Sequence, residues 1–179
     1  MKPMFSEIPL LEDDRIILKR ITDADAGALE ELTDNDNVYR YLPTFLFEKQ
    51  YSDMHRMIKE LYEDLYLNKE SLILGIYLKE SGELCGLAEF YGFKDSIHKI
   101  SIGYRLLERF WGKGIASRAV SLMTGYLYSS TDIQIITAST MVENMASRRV
   151  LEKNGFIQTT IAEEDWGFEE PVTVNKWFY

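Results

Sequence analysis

Gly103-Tyr104-Arg105-Leu106-Leu107-Glu108-Arg109-Phe110-Trp111-Gly112-Lys113-Gly114-Ile115-Ala116-Ser117 is the most informative stretch of this chain. A β-rich run ends at Leu106, a short loop carries two glycines, and a helical pattern begins at once. Gly112 and Gly114 let the backbone approach a ligand and take torsions barred to other residues. The amides of Gly112, Lys113, Gly114, Ile115 and Ala116 fall where a helix start leaves N–H groups unpaired. Such a cluster, with the positive end of the helix dipole, binds phosphate. Arg109 and Lys113 can add charge. A P-loop needs four residues between its glycines, and here one separates Gly112 from Gly114. The dinucleotide fingerprint also fails, because Ser117 stands where its third glycine belongs.

Working outward, Ser71 to Lys79 and Glu83 to Gly92 read as two strands of a hairpin turned by Glu80-Ser81-Gly82, and Lys99 to Leu106 as the next strand. Arg15 to Arg20 is an earlier strand. Thr22, with Asp25 three residues on, opens a helix that runs to about Thr33. From Gln50 to Asn68, apolar residues recur in steps of three and four, which predicts one amphipathic helix. Gly114 to Ser129 is helical, Ile133 to Thr140 a buried strand, and Asn144 to Asn154 a short helix stopped by Gly155. Phe156 to Ala162 and Val172 to Phe178 are two final strands. The order describes a mixed α/β fold, α+β by some schemes, with helices on both faces of the sheet.

The chain has 179 residues, of which 46% are hydrophobic and 27% charged, enough to build one cored domain over residues 1–179. Its net charge of −9 argues against nucleic-acid binding and favours cationic partners, although surplus carboxylates also serve solubility. The single cysteine, Cys85, excludes an intrachain disulfide, and its apolar neighbours predict a buried, inert thiol. No cluster of ligands at useful spacing implies a metal. Met1 to Glu7 lacks the apolar stretch of a signal peptide, and no uncharged run reaches the roughly 18 residues of a membrane helix. A cytoplasmic protein with no membrane partner is therefore the default expectation.

Two stretches carry a family resemblance. Arg109-Phe110-Trp111-Gly112-Lys113-Gly114 matches Arg/Gln-x-x-Gly-x-Gly/Ala, the acyl-coenzyme A pyrophosphate motif of the GNAT N-acetyltransferase superfamily. Asn144 to Phe156 resembles that family's Asn-x-x-(Ala/Ser)-x-x-(Leu/Val)-x-x-(Lys/Arg)-x-Gly-Phe helix. Ile102-Gly103-Tyr104 and Trp111 to Ala116 look most like the RimJ/RimL branch, which acetylates the α-amino groups of ribosomal proteins. The resemblance implies a GNAT fold: a mostly antiparallel sheet of about seven strands, splayed between the fourth, Lys99–Leu106, and the fifth, Ile133–Thr140. It implies acetyl-CoA as co-substrate, an amine acceptor, and, by analogy of fold, a homodimer.

The same resemblance assigns roles. Backbone groups of Tyr104 and Leu106 are expected to meet the acetyl and pantetheine, and an amide near Tyr104 to polarise the thioester carbonyl. Asn144 matches a pantetheine contact, and is also a plain N-cap. The tyrosine that many relatives use as proton donor is Leu151 here; Ser147, one turn earlier, is the donor in its place, or a small residue that lets the helix pack closely. The glutamate that often precedes Ile-Gly-Tyr is Ser101. Glu89, in an apolar run, is the remaining candidate base, or a solvated residue if its strand is half exposed. His98 and His55 qualify by residue type only. Tyr39 to Phe47 and Ala162 to Pro171 are expected to flank the acceptor groove. The losses at Ser101 and Leu151 keep a second function in view, a coenzyme-binding sensor or interaction domain without chemistry. ATP binding by the glycine loop is a third, remote one.

Overall fold

A computed structural model describes residues 1–179. The N-terminal apolar residues form two short strands, β1 (Leu11–Glu12) and β2 (Ile16–Lys19). Asp25 accepts from the Thr22 N–H at 2.8 Å, closing the predicted cap, and α1 follows over Ala26–Thr33. Asn35 then caps the short α2 (Asp36–Tyr39), accepting from the Asn37 N–H at 3.0 Å.

The single helix expected from Gln50 to Asn68 is instead two pieces, preceded by a separate turn that shares only Gln50 with it. A 3-10 turn covers Phe47–Gln50, α3 covers Met54–Glu60, and a π turn covers Leu61–Leu65. Asp53 accepts from the His55 and Arg56 N–H groups, so the α-helix starts there and not at Gln50. The apolar spacing survives because 3-10, α and π turns all return the chain to one face within three to five residues.

β3 (Ser71–Leu78) and β4 (Leu84–Lys94) form the predicted hairpin, and β5 (Lys99–Leu106) continues it antiparallel. Gly86 sits so close to β5 that a Cβ there would collide with the carbonyl oxygen of Arg105. α4 (Ile115–Ser130) leads to β6 (Ile135–Met141), α5 (Met145–Lys153), β7 (Ile157–Glu164) and β8 (Val172–Phe178). The sheet has eight strands in the order β1-β2-β3-β4-β5-β6-β8-β7, one more than expected because of the two-residue β1. Only β5 and β6 run parallel.

Side-chain alternation along β4 assigns the two faces. Phe90 meets Tyr126 of α4 edge-on at 6.1 Å. Glu89 and Tyr91 point the other way, to the face where Tyr62 of the π turn donates to the Ile73 carbonyl at 2.9 Å. One core runs through both layers and includes Phe90, Ile100, Met123, Leu151 and Trp177. Cys85 is fully buried, and that burial pushes its thiol up to about 11, as an inert cysteine requires. No helix is long and apolar enough to cross a membrane.

Candidate active site

β5 and β6 pair at three positions only: Lys99 with Ile135, Ile100 with Ile136, and Ser101 with Thr137. The Ser101 and Thr137 hydroxyls share a hydrogen bond at 2.8 Å across the last of these. Beyond it the strands part, and Gly103 to Leu106 face Ala138 to Thr140 across open space. This is the splay expected at that place. A cleft of about 1320 Å³ fills the opening and passes from the α4–α5 face to the α1–α3 face.

On the first face, the glycine loop behaves as its sequence predicts. Gly112 and Gly114 take φ of 70° and 77°, torsions that favour glycine. The Arg118 N–H is the first to close onto the Gly114 carbonyl, at 3.2 Å, so the amides of Ile115, Ala116 and Ser117 have no helical carbonyl to bond. Gly112, Gly114, Ile115 and Ala116 line the cleft. The Trp111 indole N–H donates to the Leu106 carbonyl at 2.9 Å, which holds the loop against the strand end but occupies that backbone acceptor.

The charged side chains of the loop sit elsewhere. Arg109 pairs with Glu31, and with Glu83 at 2.9 Å, outside the cleft. Lys113 places its ammonium over the Phe110 ring at 5.6 Å and also stays out. The cations that do reach this half of the cleft are Arg149 and Lys153 of α5, one turn apart and in no ion pair. Asn154 donates to the Ser117 hydroxyl at 3.0 Å and so ties α5 to the first turn of α4.

Asn144 caps α5 by accepting from the Ser147 N–H at 3.2 Å, and it lines the cleft as well, so its two expected roles are compatible. Ser147 lies across the opening from Tyr104, and their hydroxyls are 2.8 Å apart. Burial pushes the Tyr104 phenol up to about 12, against the opposing hydrogen bond from Ser147, so it stays protonated at neutral pH. Leu151 is a buried wall residue.

The second face holds a buried ion cluster. Arg105 donates to Glu48 and to Glu89, each at 2.7 Å. Glu48 also accepts from the Tyr39 hydroxyl at 2.9 Å, and Glu89 from the Ser71 hydroxyl at 2.7 Å. Burial disfavours the Arg105 charge, but the two carboxylates outweigh it and raise its pKa above the ordinary arginine value. This corrects the reading of Glu89 as a free or solvated carboxylate: it lines the cleft, but both of its oxygens are engaged. His55 and His98 lie outside the cleft, beside Asp23 and Asp132.

The two segments expected to flank the acceptor are joined. The Thr44 N–H donates to the Trp166 carbonyl at 2.8 Å, so the loop after α2 closes on the β7–β8 hairpin. Glu164 of that hairpin accepts from the Trp166 indole at 2.9 Å and pairs with Lys176, which also donates to Ser139 at 2.7 Å. The acidic, aromatic hairpin is therefore packed into the cleft wall at Glu164 and Trp166, while Glu163 and Phe168 stay outside it. No group of three or more His, Cys, Asp or Glu side chains gathers anywhere to hold a metal.

Arg105, Glu48, Arg149, Lys153 and the Tyr104 side chain were not among the residues singled out by sequence. One signal was available. The β4–β5 register sets Glu89 opposite Gly103, diagonally next to Arg105, which places opposite charges together on one face of two apolar strands.

The acetyltransferase (GNAT) domain model matches residues 15–157, which include the opened strands, the glycine loop and α5. The chain belongs to the GNAT acetyltransferase family. The uncharacterized N-acetyltransferase YoaA of Bacillus subtilis (strain 168) is 32% identical over 148 residues, 83% of this chain and 82% of that one. In fold, this GNAT chain resembles RimL, a ribosomal L7/L12 alpha-N-protein acetyltransferase solved in complex with coenzyme A. The TM-score is 0.80 at 18% identity, covering 96% of this chain and 97% of that one. It also resembles spermidine N-acetyltransferase from Vibrio cholerae, solved with CoA and spermine. There the TM-score is 0.76 at 18% identity, with 93% and 96% covered.

Proposed function

We propose that this GNAT protein transfers the acetyl group of acetyl-CoA directly to a primary amine, either a protein N-terminal α-amino group or a small-molecule amine. The observation that carries the reading is the opened β5–β6 pair ending at a helix start with unpaired amides. Extended backbone beside a phosphate cradle suits a chain-like, amide-containing ligand with a diphosphate at one end. Acetyl-CoA, when bound, supplies the acetyl group as an activated thioester.

The amides of Gly112 to Ser117 hold the diphosphate, with Arg149 and Lys153 beside it. Asn144 meets the pantetheine arm. A β5 amide at Tyr104 polarises the thioester carbonyl as negative charge develops on its oxygen. The ammonium enters from the opposite face, loses one proton to water in the open cleft, attacks the carbonyl carbon as the neutral amine, and gives a second proton to water as the amide forms. The C–N bond forms and the C–S bond breaks. Ser147 gives its hydroxyl proton to the leaving sulfur and recovers one from Tyr104, whose phenol is reprotonated from water. Glu89 acts through charge and not as the base: two buried carboxylates against one guanidinium leave the cluster with a net negative charge facing the incoming amine.

The Ser147–Tyr104 pair supplies the proton donor whose usual position is Leu151, which favours a working enzyme over a coenzyme-binding sensor. The test is thiol release from acetyl-CoA with phenylethylamine, spermidine or an alanine-initiated peptide, beside binding measurements with acetyl-CoA and ATP. Amine-dependent release is expected. Tight coenzyme binding with no release toward a wide amine panel selects the sensor, and preferential ATP binding removes both.

A further inference from the structure

Tyr91 is a polar side chain in the acceptor half of the cleft wall with nothing assigned to it. It lies on β4 opposite Ser101, level with the last β5–β6 pair before the strands part. Its ring leans along β5 toward the opening, for a Cβ on Gly103 would stand 3.4 Å from Tyr91 Cε1. Gly103 leaves room for the ring there. Glu89 lies two residues before Tyr91 on the same face, and Glu164 approaches from β7.

The neighbouring polar groups are all spoken for. Glu89 is held by Ser71 and Arg105, Glu164 by Lys176 and Trp166, and Ser101 by Thr137. The Tyr91 hydroxyl makes no hydrogen bond within the chain, yet it lines the cleft between two carboxylates. A phenol in that position is costly to leave unpaired once a ligand displaces water. Burial, and then the charges of Glu89 and Glu164, push its pKa above the ordinary tyrosine value. It therefore remains a neutral hydroxyl over the working pH range, able to accept a hydrogen bond from an N–H but not to serve as a base.

We propose that the Tyr91 hydroxyl is the hydrogen-bond partner of the acceptor nitrogen, holding the amine in the opening on the side away from Ser147 and Tyr104. The inference rests on the amine-transferase reading and deepens it. The phenol oxygen takes one N–H of the amine. The nitrogen lone pair is then directed across the gap to the carbonyl held on β5. Gly103 is part of the device, because its missing side chain leaves the ring its place.

Tyr91→Phe is the test, since it keeps the ring against Gly103 and removes only the oxygen. Initial rates are measured with whichever of phenylethylamine, spermidine and an alanine-initiated peptide the wild type acetylates fastest. Each substrate is varied in turn, and coenzyme binding is followed separately by calorimetry. The expected result is a fall of about three- to tenfold in kcat/KM for the amine, the loss of one hydrogen bond to a reacting group. The acetyl-CoA Kd and the melting temperature stay at wild-type values. A purely structural tyrosine would move the melting temperature and leave the amine term alone. Amine kinetics within twofold of wild type overturn the inference and leave the transferase reading standing. A wild type that binds acetyl-CoA but acetylates no amine removes the reading, and the inference with it.

Discussion

Replacing Arg105 with Met tests the buried cluster most directly. The change keeps most of the side-chain volume and removes the charge. Glu48 and Glu89 are then stranded, with side chains 1% and 12% exposed, and each loses an arginine N–H. Removing one partner of a buried ion pair typically costs about 3–5 kcal/mol, because the remaining charge stays out of water. For a chain of this size each kcal/mol moves the melting temperature by about 2–4 °C, so the variant should melt roughly 6–20 °C below wild type. The assay is thermal and urea unfolding at pH 7, followed by circular dichroism. Adding Glu48→Gln and Glu89→Gln should recover more than half of the loss, because neutral amides still bond Tyr39 and Ser71 without a stranded charge. A single variant within about 1 kcal/mol of wild type, less than even one lost charged hydrogen bond, would refute the reasoning. So would a triple variant no more stable than the single one.

Three further outcomes concern the chemistry. Ser147→Ala should lower kcat by about 100-fold or more while acetyl-CoA binding is retained, and unchanged turnover would end its role as proton donor. Glu89→Gln should reduce kcat/KM for the amine yet keep the shape of the wild-type pH–rate profile; loss of the acidic limb, where a catalytic base becomes protonated, would restore Glu89 as the base. Arg149→Gln with Lys153→Gln should raise the KM for acetyl-CoA several-fold and flatten its dependence on salt, measured between 50 mM and 500 mM sodium chloride, with the amine KM unchanged.

Much of this was legible in the chain itself, for local reasons. Gly112 and Gly114 announce their torsions, Asn144 announces its cap, and the unbroken apolar run of Ser71–Leu78 and the alternation that opens Lys99–Leu106 announce strands. The hidden parts depend on residues far apart in the chain. Arg105 reads as a charge on a strand edge until Glu48, 57 positions away, is brought against it. Glu89 stood out as a carboxylate among apolar neighbours, but its partner lies on another strand. Arg109 occupies the motif position associated with phosphate, and Glu31 and Glu83 draw it elsewhere. Tyr51, Met54, Met57, Ile58, Leu61 and Leu65 have helical spacing, but spacing alone does not separate an α-turn from the 3-10 and π turns that flank it.

The three-position junction between β5 and β6 gives the molecule a mechanical seam. On one side stands a five-stranded ladder, on the other a three-stranded one, stitched by a few backbone bonds and a pair of hydroxyls. A coenzyme arm laid along that seam doubles as a splint. Deuterium uptake at Gly103–Leu106 and Ala138–Thr140 should therefore slow together when the thioester is added, as two half-sheets begin to breathe as one.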